Sequence, residues 1–397
     1  MNKKLLIAVV KSYKSILKTL FATVFFVLML LSNSFGEGTK QLDPPSAPIA
    51  FSTLCGRVHL SHQSSQDRIP FALTNCGTVY RLNIFVNDPV NENIYFGFGK
   101  VTEYGSNTAT TDLKFQVRDP NGNVVTGFSL ANLPTSGAGA IPAGATGYNQ
   151  AVAGPNISGS TPTGYEPLVI DPTMAGNYYI EFEFPSMNTS GRQFETFDIT
   201  VANGTLPILG RLWSKAWQLS SNSTSAGANG KTFSQFYVYS TDSIVTRFDC
   251  NGLAGGVFAI YCNPYGTDST NNWENDRKSQ NGNATVLPVY KLFLNNPDPN
   301  VFGTGEFGTV CDLKSYSYCN GTVDVLVKVN KPGSIKFIID VDPEGAGSED
   351  VEINAAVIGA PDCSVWDTIP WDGLDGYGMP VQNGATIKFN IAYLNGH

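Results

Sequence analysis

The run Asp340-Val341-Asp342-Pro343-Glu344-Gly345 is the segment whose residue types and spacing best suit ion chemistry. Oxygen ligands at alternate positions before a glycine open a D-x-D-x-[DE]-G calcium loop, in which carboxylates converge as the backbone curls around the ion. Asp340, Asp342, Glu344 and Glu352 are the candidate Ca2+ ligands, with Glu349 and Asp350 close by. Pro343 restricts the curl, and Val351 stands where a twelfth-position glutamate is usual. A solvated acidic hairpin between two strands accounts for the same residues. No other cofactor is expected.

The seven cysteines suit an oxidising compartment. Cys250 lies close to Cys262, and Cys311 close to Cys319, so two local disulfides are expected. Cys55 and Cys76 form a looser pair and Cys363 is left over. Neither local pair has the C-x-x-C spacing of a zinc site. Buried free thiols are the alternative.

Of the three histidines, His397 is terminal, and His59-Leu60-Ser61-His62 could bring two imidazoles together. No acidic third ligand follows at a metal spacing. The chain shows no G-x-S-x-G turn, no Gly-rich phosphate loop between strand and helix, and no H-E-x-x-H. No catalytic residue is nominated and the chain is read as a non-enzyme. A two-carboxylate carbohydrate-active enzyme is the catalytic alternative, since carboxylates are abundant. Trp213 and Trp217 suit either a core or a sugar-stacking platform, with core packing favoured.

The elements that carry these residues begin with an export signal. Lys3, Lys4, Lys11, Lys14 and Lys18 precede the apolar run Leu20 to Leu31, which is short for a bilayer span, and Ser34-Phe35-Gly36 offers a small-x-small cleavage site. Residues 1–36 are therefore expected to be a signal peptide, with an uncleaved membrane anchor as the alternative. Its removal takes five of the 25 basic residues and none of the 33 acidic ones, leaving 20 against 33, a net charge of −13. Such a surface repels phosphate backbones, so nucleic acid is not an expected partner. The apolar content of 42% can build cores despite abundant turn residues.

Period-two patterns recur along the remaining chain. Tyr178, Ile180, Phe182 and Phe184 alternate with Glu181 and Glu183, and Val323, Val325, Val327 and Val329 alternate with Asp324 and Lys328. Asp119-Pro120-Asn121-Gly122 and Lys331-Pro332-Gly333 are turn signals. The fold class is thus all-β, with tandem β-sandwich domains of immunoglobulin-like or jelly-roll-like type. The expected organisation is a linker over 37–50, a sandwich over 51–205, a second over 206–318, and an immunoglobulin-like domain over 319–397. Residues 131–165 carry no charge before Glu166 and read as a disordered surface loop, with a binding loop as the alternative. No helix of useful length is expected.

Trp371-Asp372-Gly373-Leu374-Asp375-Gly376-Tyr377-Gly378-Met379-Pro380-Val381-Gln382-Asn383-Gly384 resembles the W-D-G-x-D-x-x-G-x-x-V-x-x-G pattern of an immunoglobulin-like repeat shared with the flagellar hook-cap family. The pattern is similar to one in large surface proteins of gliding Bacteroidota exported by the type IX secretion route. Gly210 to Asn251 also resembles segments of such proteins. In the repeat, the tryptophan plugs the sandwich end and the Asp-Gly pairs make tight turns. Here Gly384 is followed by Ala385-Thr386-Ile387 where the family has Gly-x-Tyr, so the last domain is expected to be truncated, with an unpaired edge strand over 386–393. The resemblance implies a non-catalytic, secreted or cell-surface protein, an adhesin-like binding module of a larger chain associated with gliding motility. Its implied partners are an extracellular or cell-surface protein or glycan and further domains of a longer chain. A structural spacer of stacked sandwiches is the alternative.

Overall fold

The computed structural model describes residues 36–48, 56–60, 71, 80–104, 108–183, 191–220, 230–254, 256–270, 272–281, 286–341 and 350–395. Strands make up 43% and helices 7% of it, so the chain is all-β in several antiparallel sheets, consistent with tandem sandwiches.

Three large sheets build the first body. The first runs β1 (Glu37–Gly38), β11 (Phe197–Asn203), β4 (Glu92–Phe98) and β8 (Leu168–Ile170), with β12 (Leu206–Ile208) on β11. The second runs β19 (Val257–Tyr261), β14 (Ala216–Ser220), β2 (Arg57–Leu60), β10 (Arg192–Phe194) and β5 (Val101–Glu103). The third has eight strands: β17 (Val245–Asp249), β16 (Gln235–Tyr239), β20 (Lys291–Phe293), β13 (Leu212–Ser214), β3 (Leu82–Val86), β9 (Gly176–Glu183), β6 (Lys114–Arg118) and β7 (Ala131–Asn132). A small ladder joins β15 (Lys231–Thr232) to β18 (Leu253–Ala254).

The boundary expected near 205 does not divide two cores. β14 pairs with β2 through Leu219 and Val58, and β13 pairs with β3 through Leu212 and Ile84. One apolar cluster holds Phe96, Phe98, Phe182 and Phe194 from before the boundary together with Trp217, Leu219 and Phe236 from after it. The rings of Phe98, Phe182, Phe194 and Phe197 meet in edge-on or tilted contacts 5.5–5.6 Å apart, and Phe197 reaches Trp217 at 6.4 Å. Such contacts add to plain area burial. Alternation marks which face of a strand is apolar but does not say which distant strand lies beside it.

A buried ion network ties the same halves together. Arg211 donates from Nε to Asp298 Oδ2 at 2.8 Å and from Nη2 to Glu92 Oε1 at 3.0 Å. Glu92 also accepts the Asn87 amide at 2.7 Å. Breaking such a pair on one side strands a buried charge and costs several kcal/mol, on the order of 3–5.

Two further expectations are corrected. Residues 37–43, expected in a linker, form β1 and the one-turn helix α1 (Thr39–Leu42), with Glu37, Leu42 and Asp43 buried. The 131–165 segment is folded: helix α2 (Gly144–Ala153) lies within it, and Ile141, Ala151 and Tyr165 make a small core of their own. Tyr148 donates to the Asp43 carbonyl at 2.7 Å, fastening α2 to the N-terminal segment. Small residues let the backbones approach closely, so a few apolar side chains suffice where charge and alternation are missing.

The C-terminal unit is a sandwich of two three-stranded sheets: β21 (Val310–Ser317), β22 (Val323–Val329) and β25 (Asp367–Trp371) against β24 (Val351–Val357), β23 (Gly333–Asp340) and β26 (Lys388–Asn395). Val325, Val327, Ile335, Phe337 and Ile339 fill it. The expected start at 319 falls inside the β21–β22 hairpin, so the unit begins before Val310. A polar, exposed face on β21 obscured its membership: seven of its eight residues are exposed.

The WDG segment closes on itself through local hydrogen bonds. Trp371 is buried and its Nε1 donates to the Leu374 carbonyl at 2.9 Å. Asp375 Oδ1 accepts the amides of Tyr377 and Met379 at 2.9 and 2.8 Å, which closes the turn. Gly373 has φ +78°, and a Cβ there would lie 2.0 Å from the Gly321 carbonyl oxygen. β26 pairs with β23 alone, so it is an edge strand among the described residues.

Candidate ligand-binding cleft

The second and third sheets face each other over the large core, and on one side each ends in an edge strand. β16 turns into β17 through a tight loop in which Ser240 donates its amide to the Ile244 carbonyl at 3.0 Å. The register sets Phe248 opposite Phe236 and Thr246 opposite Val238, so these four point to one face. Phe236 and Val238 are buried, whereas Phe248 is 44% exposed. On the other sheet β19 sets Phe258 beside Leu219 and Ile260 beside Trp217. Phe258 and Ile260 are only half-buried although they pack on that core.

Between these edges the core opens to solvent in a cleft of about 630 Å³. Phe236, Val238, Phe248, Ile260, Tyr290 and Leu292 line it, with Arg247 and Asn263 among its polar residues. Arg247 is held by Asp249, Nε to Oδ1 at 3.0 Å. β17 bonds only to β16 and β19 only to β14 among the described residues. Each therefore presents backbone N–H and C=O groups along its outer edge.

Burial raises the Cys262 thiol above its ordinary value and pushes the Tyr290 hydroxyl up to about 12. Burial also pushes Cys250 up to about 11. A protonated thiol is a weak nucleophile.

The expected disulfides are replaced by a different one. Cys311 bonds to Cys363, with their Cα atoms 6.2 Å apart, while Cys250, Cys262 and Cys319 are free. The bridge joins β21 to the loop after β24, 52 residues on, where sequence proximity gives no hint. Cys55 and Cys76 lie outside the described residues.

Of the calcium candidates, Asp342 and Glu344 lie outside the described residues. Asp340 ends β23 in register with Lys388, and Glu352 is ion-paired to Lys336 at 2.6 Å. That hydrogen bond holds the Glu352 carboxyl below its usual range. No group of three His, Cys, Asp or Glu residues converges among the described residues. His59 is buried on β2 with its ring edge-on to Tyr104, and His62 lies outside the described residues. Trp217 is fully buried and donates to the Leu292 carbonyl at 3.1 Å. Trp213 packs with Phe293 and Phe302 and donates to Asn177 at 3.2 Å. Both are core residues, and neither forms a sugar platform.

A second constellation, missed in the sequence, surrounds the start of the fold. The Glu37 carboxylate accepts the Gly210 amide, the Leu212 amide at 2.6 Å and the Asn295 side chain at 3.2 Å. Asp198 on β11 accepts the Tyr165 hydroxyl at 2.8 Å and the Thr200 hydroxyl at 2.9 Å. Both acids are fully buried, and loss of water outweighs these donors. Glu37 rises to about 7 and Asp198 to about 8. Isolated acids in weakly patterned segments gave no signal of this convergence.

Comparison with known protein families, with curated proteins and with solved structures found no match to this chain.

Proposed function

We propose that the chain is an exported, non-catalytic binding module of the cell surface or extracellular space. Its cleft takes an extended, apolar segment of a protein partner. The observation that carries this reading is an apolar core left open between β17 and β19, each an edge strand among the described residues. An extended peptide can add to either edge by main-chain hydrogen bonds while alternate side chains enter the apolar floor. The basic, apolar N-terminus and the WDG segment support the export and surface parts of the reading. The raised thiol and phenol support binding over catalysis.

A fluorescent ten-residue peptide of alternating valine and threonine is a suitable probe. It should bind with micromolar Kd by fluorescence polarisation, and the same peptide with prolines at alternate positions should not. Phe248→Glu should weaken binding at least about tenfold, roughly 1.4 kcal/mol. Absence of binding by the alternating peptide, or equal binding by the Phe248→Glu protein, would remove the cleft as the site.

A further inference from the structure

We propose that hydrolysis of the Gly36–Glu37 bond leaves an α-ammonium at Glu37 that docks against the buried Asp198 carboxylate and fixes β1 in its sheet. The proposal rests on the export reading of the N-terminus and is independent of the cleft.

The geometry begins at Gly36, which is buried against Asp198. A Cβ on Gly36 would lie 1.8 Å from Asp198 Oδ1. Its α-carbon is therefore at most one further C–C bond, ~1.5 Å, from that position, and the carboxylate lies against the start of the strand. Glu37 is held in place on two sides. Its backbone pairs with Ile199, and its carboxylate is held by the amides of Gly210, Arg211 and Leu212. The nitrogen at the scissile bond thus belongs to a residue with little freedom to move.

One cation acts on the site. Asp198 is donated to by two neutral hydroxyls, those of Tyr165 and Thr200. The charged groups that act on it are Glu37, of like sign, and Lys40, half-buried on α1. Arg211 is already matched by Glu92 and Asp298. One lysine therefore acts on Asp198 beside a second buried acid, and a buried carboxylate short of counter-charge is expensive. An ammonium at Glu37 adds a second cation beside Asp198.

The chemistry is ordinary peptide hydrolysis. Water adds to the Gly36 carbonyl carbon and the C–N bond breaks. The new carboxylate leaves with residues 1–36, and the Glu37 nitrogen takes up protons to become –NH3+. Because the bond is buried in the folded chain, cleavage precedes folding. Gly36 is also the residue that the small-x-small reading of Ser34-Phe35-Gly36 places at the cut.

Intact-mass measurement of the exported protein should give a chain beginning at Glu37, and any other start overturns the proposal. Refolded chains should be compared in two forms, one beginning at Glu37 and one acetylated on that nitrogen. The free form should melt several degrees higher, and Asp198→Asn should abolish the difference. Should Asp198→Asn fail to fold, acylation decides: the Glu37 amine should resist an amine-reactive ester in the folded chain and react on denaturation. Equal melting of the two forms, or an amine that reacts freely in the folded chain, would overturn the ammonium–Asp198 pair.

Discussion

At the scale of single residues, one buried histidine makes stability depend on pH. His59 is 4% exposed, its Nδ1 finds no hydrogen-bond partner, and burial lowers it to about 4. The folded state therefore binds this proton less readily than the unfolded chain, whose histidine titrates near 6.5. Stability from this group is full above the unfolded value and is lost as pH falls from about 6.5 through about 4, by ~3 kcal/mol at most. Urea unfolding followed between those limits should show the loss, and His59→Gln should flatten the slope. Trp371 is the corresponding residue of the C-terminal sandwich. Trp371→Ala removes a buried indole and its bond to Leu374, and should cost about 3–5 kcal/mol in that unit's unfolding.

At the scale of elements, strand edges and the bridge decide behaviour. Cys311–Cys363 closes a loop of 52 residues, which in the chain-entropy account is worth roughly 4 kcal/mol. Non-reducing peptide mapping should recover the Cys311–Cys363 pair and find Cys319 carrying an alkylating label. Reduction should lower the melting of the C-terminal sandwich and leave the larger body unchanged. The open edges of β17 and β19 are the elements on which the proposed function depends, since each offers a ladder of backbone groups beside an apolar floor. A proline at Arg247 would test the edge itself, because it removes one N–H from β17. If that N–H serves the incoming peptide, binding of the alternating probe should fall while the melting temperature changes by only a few degrees.

At the scale of the whole molecule, cores rather than sequence intervals define what folds alone. The large body draws one cluster from Leu42 to Leu294, and the C-terminal sandwich has a separate one. A fragment ending at residue 205 lacks Leu212, Trp217, Leu219 and Phe236 from that cluster. It should give no cooperative melt. A fragment over 37–305 should melt cooperatively, and residues 306–397 should form β structure by themselves under oxidising conditions. Differential scanning calorimetry on the three fragments checks all of this. A cooperative transition from the 37–205 piece would refute the shared core.

The alternation of Val323 to Val329 and of Tyr178 to Phe182 was enough to establish an all-β chain, although only the first strand buries a single face and Tyr178 to Phe182 are buried on both. The WDG segment was equally legible, since its turns are local: Asp375 bonds to residues two and four places on. What the sequence could not decide was everything set by distance. The Leu219–Val58 and Cys311–Cys363 neighbours depend on which sheet closes on which, and no local pattern encodes that choice. The cleft and the Glu37–Asp198 constellation are of the same kind. They exist because, among the described residues, two sheets end in edge strands on one side and because the first strand of the fold slots beside β11.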